Sequence, residues 1–479
     1  MAKPNLAKNT TYFTAALTFQ KVLSFIYFWF ISNNLFPNQL GQYIFALSCT
    51  TLFSIFIDLG LSPILTREAA KNDSQANKYL KNILGLKLPL AVFTLIAVWV
   101  FINVTGKPAA VRQLVYLASM IMVLDSFSLS FWMVFRSRHN LKYESISTIL
   151  VQIIIFVLGI IALKTTGQVA HLIMGLIAAS VFNFLFSLTL LKTKLKFSLW
   201  PEYDKEIVKH FLKILPAFAL AGIFVKIYNT SDSVLLSYLD SDTAVGLFAV
   251  PAKVVYAFQQ VIPAAFAAAI FPAFSYYHTV SQEQLNKTFE RAFAYLAIIG
   301  IPLTTGLIVL IPEVITLVWP KYQSVIPCFY IMSLAIPFIF LAFPTGYLLN
   351  ACDRQNQTTL NRGLITGLAV LLNIILIPRL SFFGAGITFF ITNFVLLFMD
   401  FFWVKSVIPL NYSFYFKISL KTIGASALMA LIIILAKPYW HWLFLVPLGG
   451  IIYFISLYLM KGFSLAEITD FAKRGMGKE

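Results

Sequence analysis

The chain has 479 residues, of which 59% are hydrophobic, 16% aromatic and only 11% charged, and its mean hydropathy is +0.82. Soluble domains carry roughly one quarter charged residues, so a water-soluble enzyme of this length is excluded and an integral membrane protein is indicated. The formal charge of +17 comes from basic residues spread through short gaps between apolar runs. A nucleic-acid binder would gather them on one face, so no nucleic acid is expected as a partner.

A helix that crosses a bilayer needs roughly 20 mostly apolar residues. By that rule the chain reads as all-α with about fourteen spans, at 10–34, 41–65, 83–104, 113–135, 144–163, 168–191, 211–238, 243–275, 291–312, 324–349, 358–378, 382–404, 416–436 and 440–460. These runs are too long and too continuously apolar for barrel strands. Met1 to Asn9 is short and polar and meets no small-residue cleavage site, so it reads as the lead into a retained first span and not as a signal peptide. With the N-terminus inside, twenty-six Lys and Arg fall in inner segments and six in outer ones. That bias predicts a multi-pass protein of the cell (inner) membrane with both termini cytoplasmic. Lys87, near the inner start of the third span, is expected to snorkel toward the interface. The longest gap, Lys192 to His210, is an inner one, and no outer gap has room for a catalytic domain.

A shift of 205 residues lays spans seven and eight over spans one and two. Phe19 falls on Phe224, Lys21 on Lys226, Ser32 on Ser237 and Gly41 on Gly246, within LGQYIFA over VGLFAVP. An even six-span unit repeated this way keeps its orientation, as in transporters built from parallel repeats. The expected architecture is two pseudo-symmetric six-helix lobes, 1–200 and 201–410, around a central cavity, with two further helices and a cytoplasmic tail in 411–479.

Charge inside a span costs roughly 2.5–3.5 kcal/mol on insertion scales and commonly faces a cavity or a partner. Lys21 shares a stripe with Thr11, Thr14, Thr18 and Ser24, and Lys226 with Gly222, Asn229 and Ser233. Lys253 shares a face with Tyr256 and Gln260, and Asp58 with Thr51, Ser54 and Ser62. The matched lysines Lys21 and Lys226, together with Lys253, are the candidate anion-binding residues. Asp58, Asp125 and Asp232 are candidate counter-charges, or groups that couple transport to an ion.

The sequence carries no G-x-x-x-x-G-K-[ST] loop to cradle nucleotide phosphates, no HExxH and no GxSxG. Asp240-Ser-Asp242 has the spacing of a metal-holding carboxylate pair, but its composition and place between two spans suit a tight outer turn. Cys49, Cys328 and Cys352 are far apart, which argues against a disulfide framework or a zinc site. The chain therefore reads as a carrier and not as an enzyme, with no cofactor and no metal, and with energy drawn from a gradient such as H+ or Na+ or from the substrate's own downhill flow.

The stretch LFPNQLGQYIFALSCTTLFSIFIDLGLSPILTREAA from Leu35 to Ala70 resembles the start of Wzx-type polysaccharide flippases of the multidrug/oligosaccharidyl-lipid/polysaccharide exporter superfamily. SDSVLLSYLDSDTAVGLFAVPAKV from Ser231, IFPAFS from Ile270 and VWPKYQSVIPCFYIMSLAIPF from Val318 resemble the same family. The resemblance implies translocation of a polyprenyl-pyrophosphate-linked oligosaccharide, the repeat unit of O-antigen, capsule or exopolysaccharide, from the cytoplasmic to the outer leaflet by alternating access. It also implies membrane lipid, a polysaccharide polymerase and chain-length proteins as partners. A diphosphate suits Lys21, Lys226 and Lys253, since an ammonium binds phosphate as a point charge. Lipid II flippases of similar architecture carry several arginines in their first helices, whereas no Arg precedes Arg67 here. Multidrug antiporters of the superfamily take cationic drugs, to which three lysines are a poor match. These two remain the alternative readings.

Overall fold

The computed structural model describes residues 6–462, without the side chains of residues 6–8, 10, 217, 218, 260, 261, 264, 265 and 267–269. Lys3, the Gln260 side chain and the tail cations Lys473, Arg474 and Lys478 lie outside the described residues. The described chain is nearly all helical, as expected from the length of its apolar runs. In order it forms α1 (Leu6–Asn34), α2 (Pro37–Asp58), α3 (Leu61–Lys71), α4 (Ala76–Val104), α5 (Ala109–Ser137), α6 (Lys142–Thr165), α7 (Val169–Lys194) and α8 (Lys205–Leu239). There follow α9 (Asp242–Val280), α10 (Gln282–Val318), α11 (Ile326–Ser333), α12 (Ile336–Ala351), α13 (Gln355–Val404), α14 (Tyr412–Ala436) and α15 (Trp442–Leu459). The starts of α8, α10 and α14 carry side-chain acceptors for orphan N–H groups. Asp204 accepts from the backbone N–H of Glu206 and Ile207, Ser281 from Gln284, and Asn411 from Phe414.

The expected count of fourteen spans is not confirmed. By length and apolarity, the described residues hold eleven helices able to cross a membrane, or twelve if Lys205–Pro216 and Ala219–Leu239, bent by 54°, form one span. Two expected spans, 358–378 and 382–404, fall within α13, which breaks at Ser381 (φ 56°, ψ −142°). A Cβ added to Gly384 would lie 2.6 Å from the Leu376 carbonyl oxygen. Eight residues of straight helix would separate those positions by about 12 Å, so the chain doubles back at Ser381. The expected span 41–65 also ends early. Leu59 (φ 44°) and Gly60 (φ 87°) turn left-handed after Asp58 and release α3 as a separate short helix.

Contacts gather the helices into two compact units, Met1–Val250 with Arg362–Ala385, and Pro251–Asn361 with Gly386–Glu479. The lobes read from the repeat describe repetition along the chain, and these units describe packing. In the first unit the apolar face of α3 (Leu61, Ile64, Leu65) closes against Leu80 and Ile83 of α4, Phe131 and Phe135 of α5, Leu191 of α7 and Phe211 of α8. The same unit contains a reciprocal contact between α2 and the start of α9. A Cβ on Gly41 would lie 1.6 Å from the Asp242 carbonyl oxygen, and one on Gly246 would lie 1.9 Å from that of Pro37. Pro37 and Asp242 are also one repeat shift apart, so each copy offers the same glycine to the same position of the other. A two-fold relation requires that reciprocity.

In the second unit α10 packs against α12, α14 and α15. The Tyr453 hydroxyl donates to the Ile298 carbonyl at 2.7 Å, and Lys437 pairs with Glu313 at 2.6 Å. The protein is thus a multi-pass membrane protein of helices.

Candidate functional site

Thr50, Thr51, Ser54 and Asp58 recur at helical spacing on α2 and share one face of it. Helix α2 packs against both α5 and α8, and a cleft of about 210 Å³ opens along that face. It is lined by these four residues and Leu47, by Ile121, Met122, Asp125, Ser126 and Leu129 from α5, and by Lys226 from α8. The Lys226 ammonium donates to Ser54 Oγ at 2.9 Å.

Asp58, at the cleft's end, is held from the other side by Lys87 of α4, with Nζ 2.5 Å from Oδ1. Lys87 is completely buried and also donates to the Ser126 carbonyl at 2.9 Å and to the hydroxyls of Ser126 and Ser62 at 3.2 Å each. Ser62 in turn donates to Asp58. The expectation that Lys87 snorkels is therefore wrong. Four oxygens supply its ammonium inside the helices with what water would supply outside. The consequence lies in the charge balance. Lys87 takes Asp58 as its ion-pair partner, whereas Lys226, bonded to the Ser54 hydroxyl, makes no ion pair among the described residues and faces the cleft with its charge.

Asp125 faces the cleft from α5. Ser180 of α7 supplies its carboxylate a hydrogen bond, and among the described residues it makes no ion pair. The cleft thus has a cationic wall on α8 and an anionic wall on α5, with α2 hydroxyls between them.

The other sequence candidates lie elsewhere. Lys21 is on α1 and Lys253 on α9, and neither lines this cleft. Lys253 belongs to the second unit, where its neighbour Tyr256 meets Phe389 edge-on with ring centroids 5.6 Å apart. Asp232 is buried on α8 and accepts a 2.6 Å hydrogen bond from Asn373 Nδ2 of α13. Sequence reasoning missed a similar carboxylate, Asp400, which is buried in the second unit. It accepts from Asn361 Nδ2 at 2.8 Å, and Trp403 Nε1 donates to that asparagine's Oδ1 at 3.2 Å. The signal was present as a lone Asp within FMDFFWV, close enough to the end of an apolar run to read as a boundary.

The Asp240-Ser-Asp242 pair does the work of a turn. Asp242 pairs with Lys107 at 3.0 Å, and that ammonium also donates to the Ser237 carbonyl and lies 4.9 Å from the ring centroids of Phe45 and Tyr238. Asp240 accepts from Ser381, at the α13 reversal. Among the described residues no three His, Cys, Asp or Glu side chains are grouped to hold a metal ion.

The chain before α8 lies along the start of α4. Gly85 leaves room for the Glu202 carbonyl, 2.5 Å from where a Cβ would sit. Asn82 Oδ1 accepts from the Asp204 backbone at 2.6 Å, and Lys78 pairs with the Asp204 carboxylate at 2.6 Å. The Lys78 ammonium and the backbone N–H of Ile207 hold the Asp204 carboxyl below the usual carboxylate range.

A family described as "Polysaccharide biosynthesis protein" matches residues 6–278. No curated protein matches the chain. Among solved structures, the lipid II flippase MurJ in an inward closed conformation is similar with a TM-score of 0.74 at 15% identity, over 97% of this chain and 99% of that one. A multidrug resistance MATE family transporter of the MOP superfamily, in an inward-facing conformation, is similar with a TM-score of 0.62 at 14% identity, over 81% of this chain and 94% of that one. A MOP superfamily transporter from Pyrococcus furiosus, whose binding pocket is described as of reverse polarity, is similar with a TM-score of 0.58 at 14% identity, over 84% and 96%. The fold is therefore that of MOP superfamily flippases and transporters.

Proposed function

This chain belongs to the polysaccharide biosynthesis protein family, and from that premise we propose that it flips a polyprenyl-pyrophosphate-linked oligosaccharide from the cytoplasmic to the outer leaflet of the cell membrane. The observation that carries the reading is Lys226, a cation that bonds a hydroxyl and makes no ion pair among the described residues, lining a hydroxyl-rich cleft among membrane helices. A diphosphate accepts hydrogen bonds and offers none, so it matches the Lys226 ammonium and the Thr51 hydroxyl, while Thr50 and Ser54 already donate to backbone carbonyls of α2. The lipid tail stays in the bilayer while the two six-helix lobes alternate access to the headgroup. No bond is made or broken, and the coupling energy comes from an ion gradient. Lys21, which the repeat pairs with Lys226, and Lys253 act at other stages of the path.

The test is transfer of a labelled polyprenyl-diphosphate oligosaccharide across proteoliposomes. Wild type is expected to flip it, and Lys226→Ala to lose at least about tenfold in rate, the effect of removing one hydrogen bond to a charged group. Lys226→Arg retains part of the rate. Lipid II and a cationic dye assayed in parallel separate the alternatives. Dye export without transfer of any diphosphate lipid would sink the proposal, and transfer of lipid II alone would move the substrate to peptidoglycan precursors.

A further inference from the structure

The cleft is more than a diphosphate site, because its two walls have opposite polarity. Resting on the flippase reading above, we propose that Asp125 is a specificity-determining residue that accepts hydrogen bonds from the sugar joined to the diphosphate.

The argument runs from what each part of the ligand offers. The diphosphate carries only acceptors and negative charge, and a carboxylate is likewise acceptor-only. Asp125 therefore repels it, and the headgroup anion belongs on the α8 side with Lys226 and Ser54. The polyprenyl tail has no donors at all. Only the sugar carries O–H or N–H groups to turn toward Asp125, and of its carboxylate's roughly four lone-pair sites Ser180 fills one. Asp58 is the weaker acceptor, since Lys87 balances its charge and both Lys87 and Ser62 already engage its Oδ1. The cleft volume of about 210 Å³ is below the roughly 300–1,000 Å³ of sites for drug-sized ligands. It suits one headgroup piece and not a whole oligosaccharide. The α8 and α5 walls thus fix the direction in which the ligand lies across α2, with its anion at Lys226 and its first donors at Asp125.

The experiment measures binding to the purified full chain in nanodiscs. The probes are undecaprenyl diphosphate and the same lipid carrying a single N-acetylglucosamine or a single galactose. Wild type is expected to prefer at least one sugar-bearing lipid over the bare one. Asp125→Ala should weaken that lipid about tenfold or more, the effect expected for a lost hydrogen bond to a charged group. It should bind the bare diphosphate as well as wild type or better, because a repelling charge is gone. Retained bare-lipid binding also reports that the variant is folded. Asp125→Asn, which keeps one acceptor, should fall between them. Equal loss of all three lipids in Asp125→Ala would overturn the proposal in favour of a structural role. A shifted pH profile with an unchanged preference between sugar and bare lipid would overturn it in favour of proton carriage. Strong, Lys226-dependent binding with no preference for sugar in wild type would overturn it and leave the flippase reading standing. Binding of none of the three would remove both.

Discussion

Lys87 illustrates how far a single side chain can depart from what its position along a helix suggests. It stands near the inner start of the third apolar run, yet it is completely buried against Asp58, Ser62 and Ser126. A buried pair contributes little net stability compared with apolar residues of equal size, but removing one partner strands the other charge at a cost of about 3–5 kcal/mol. Asp58→Ala is accordingly expected to lower the unfolding midpoint sharply in detergent, while Asp58→Leu combined with Lys87→Met restores most of it. A melt of Asp58→Ala that matches wild type would show that the pair is not what keeps Lys87 inside. The same pair matters for the cleft, since it engages Asp58 and leaves Lys226 as the charge a ligand meets.

At the scale of elements, two close backbone approaches set how helices sit within the first unit. Gly41 and Gly246 face each other through the Asp242 and Pro37 carbonyls, and either one with a methyl group would force α2 and α9 apart. Gly41→Ala and Gly246→Ala should each destabilise the protein. The double variant should cost less than the sum of the two, because the first substitution already opens the contact that the second would strain. Strict additivity would mean that the two glycines act on separate contacts. The segment along α4 gives a pH prediction. A carboxyl held low by folding contributes stability above its unfolded value of roughly 3.9, and that contribution is lost as pH falls through the folded value. A spin label at Tyr203→Cys should therefore be immobile at neutral pH and gain mobility in that acid window. Lys78→Ala should make it mobile at neutral pH as well. A label equally mobile at both pH values in the parent would rule the clasp out.

For the whole molecule, the distribution of basic residues makes a claim about orientation that labelling can check. Asn140→Cys, in the turn between α5 and α6, should react with an impermeant maleimide only in inside-out vesicles, and Thr166→Cys, between α6 and α7, only from the cell exterior. The reverse pattern would invert the topology and with it the direction of transport.

The sequence by itself determined the solvent, the helical class and the register of the repeat. Each of these follows from properties summed along the chain, such as apolar runs, the charge in successive gaps, and a lysine and a glycine 20 positions apart in both copies. It also placed Lys226 and Asp125 among the charges worth explaining, because an ionised group within an apolar run is conspicuous without coordinates. Only the tertiary structure decided which charges meet. Asp58 belongs to Lys87, which α4 delivers. Asp232 and Asp400 belong to asparagines on α13, and Lys226 shares its cleft with Asp125 while Lys21 does not line it. It also decided that α13 reverses at Ser381, where one backbone angle separates two runs that read as neighbours along the chain. Partnerships of this kind depend on helix rotation and on approach distances of a few ångströms. Packing between segments far apart in the chain sets both, and no property of a single segment records them.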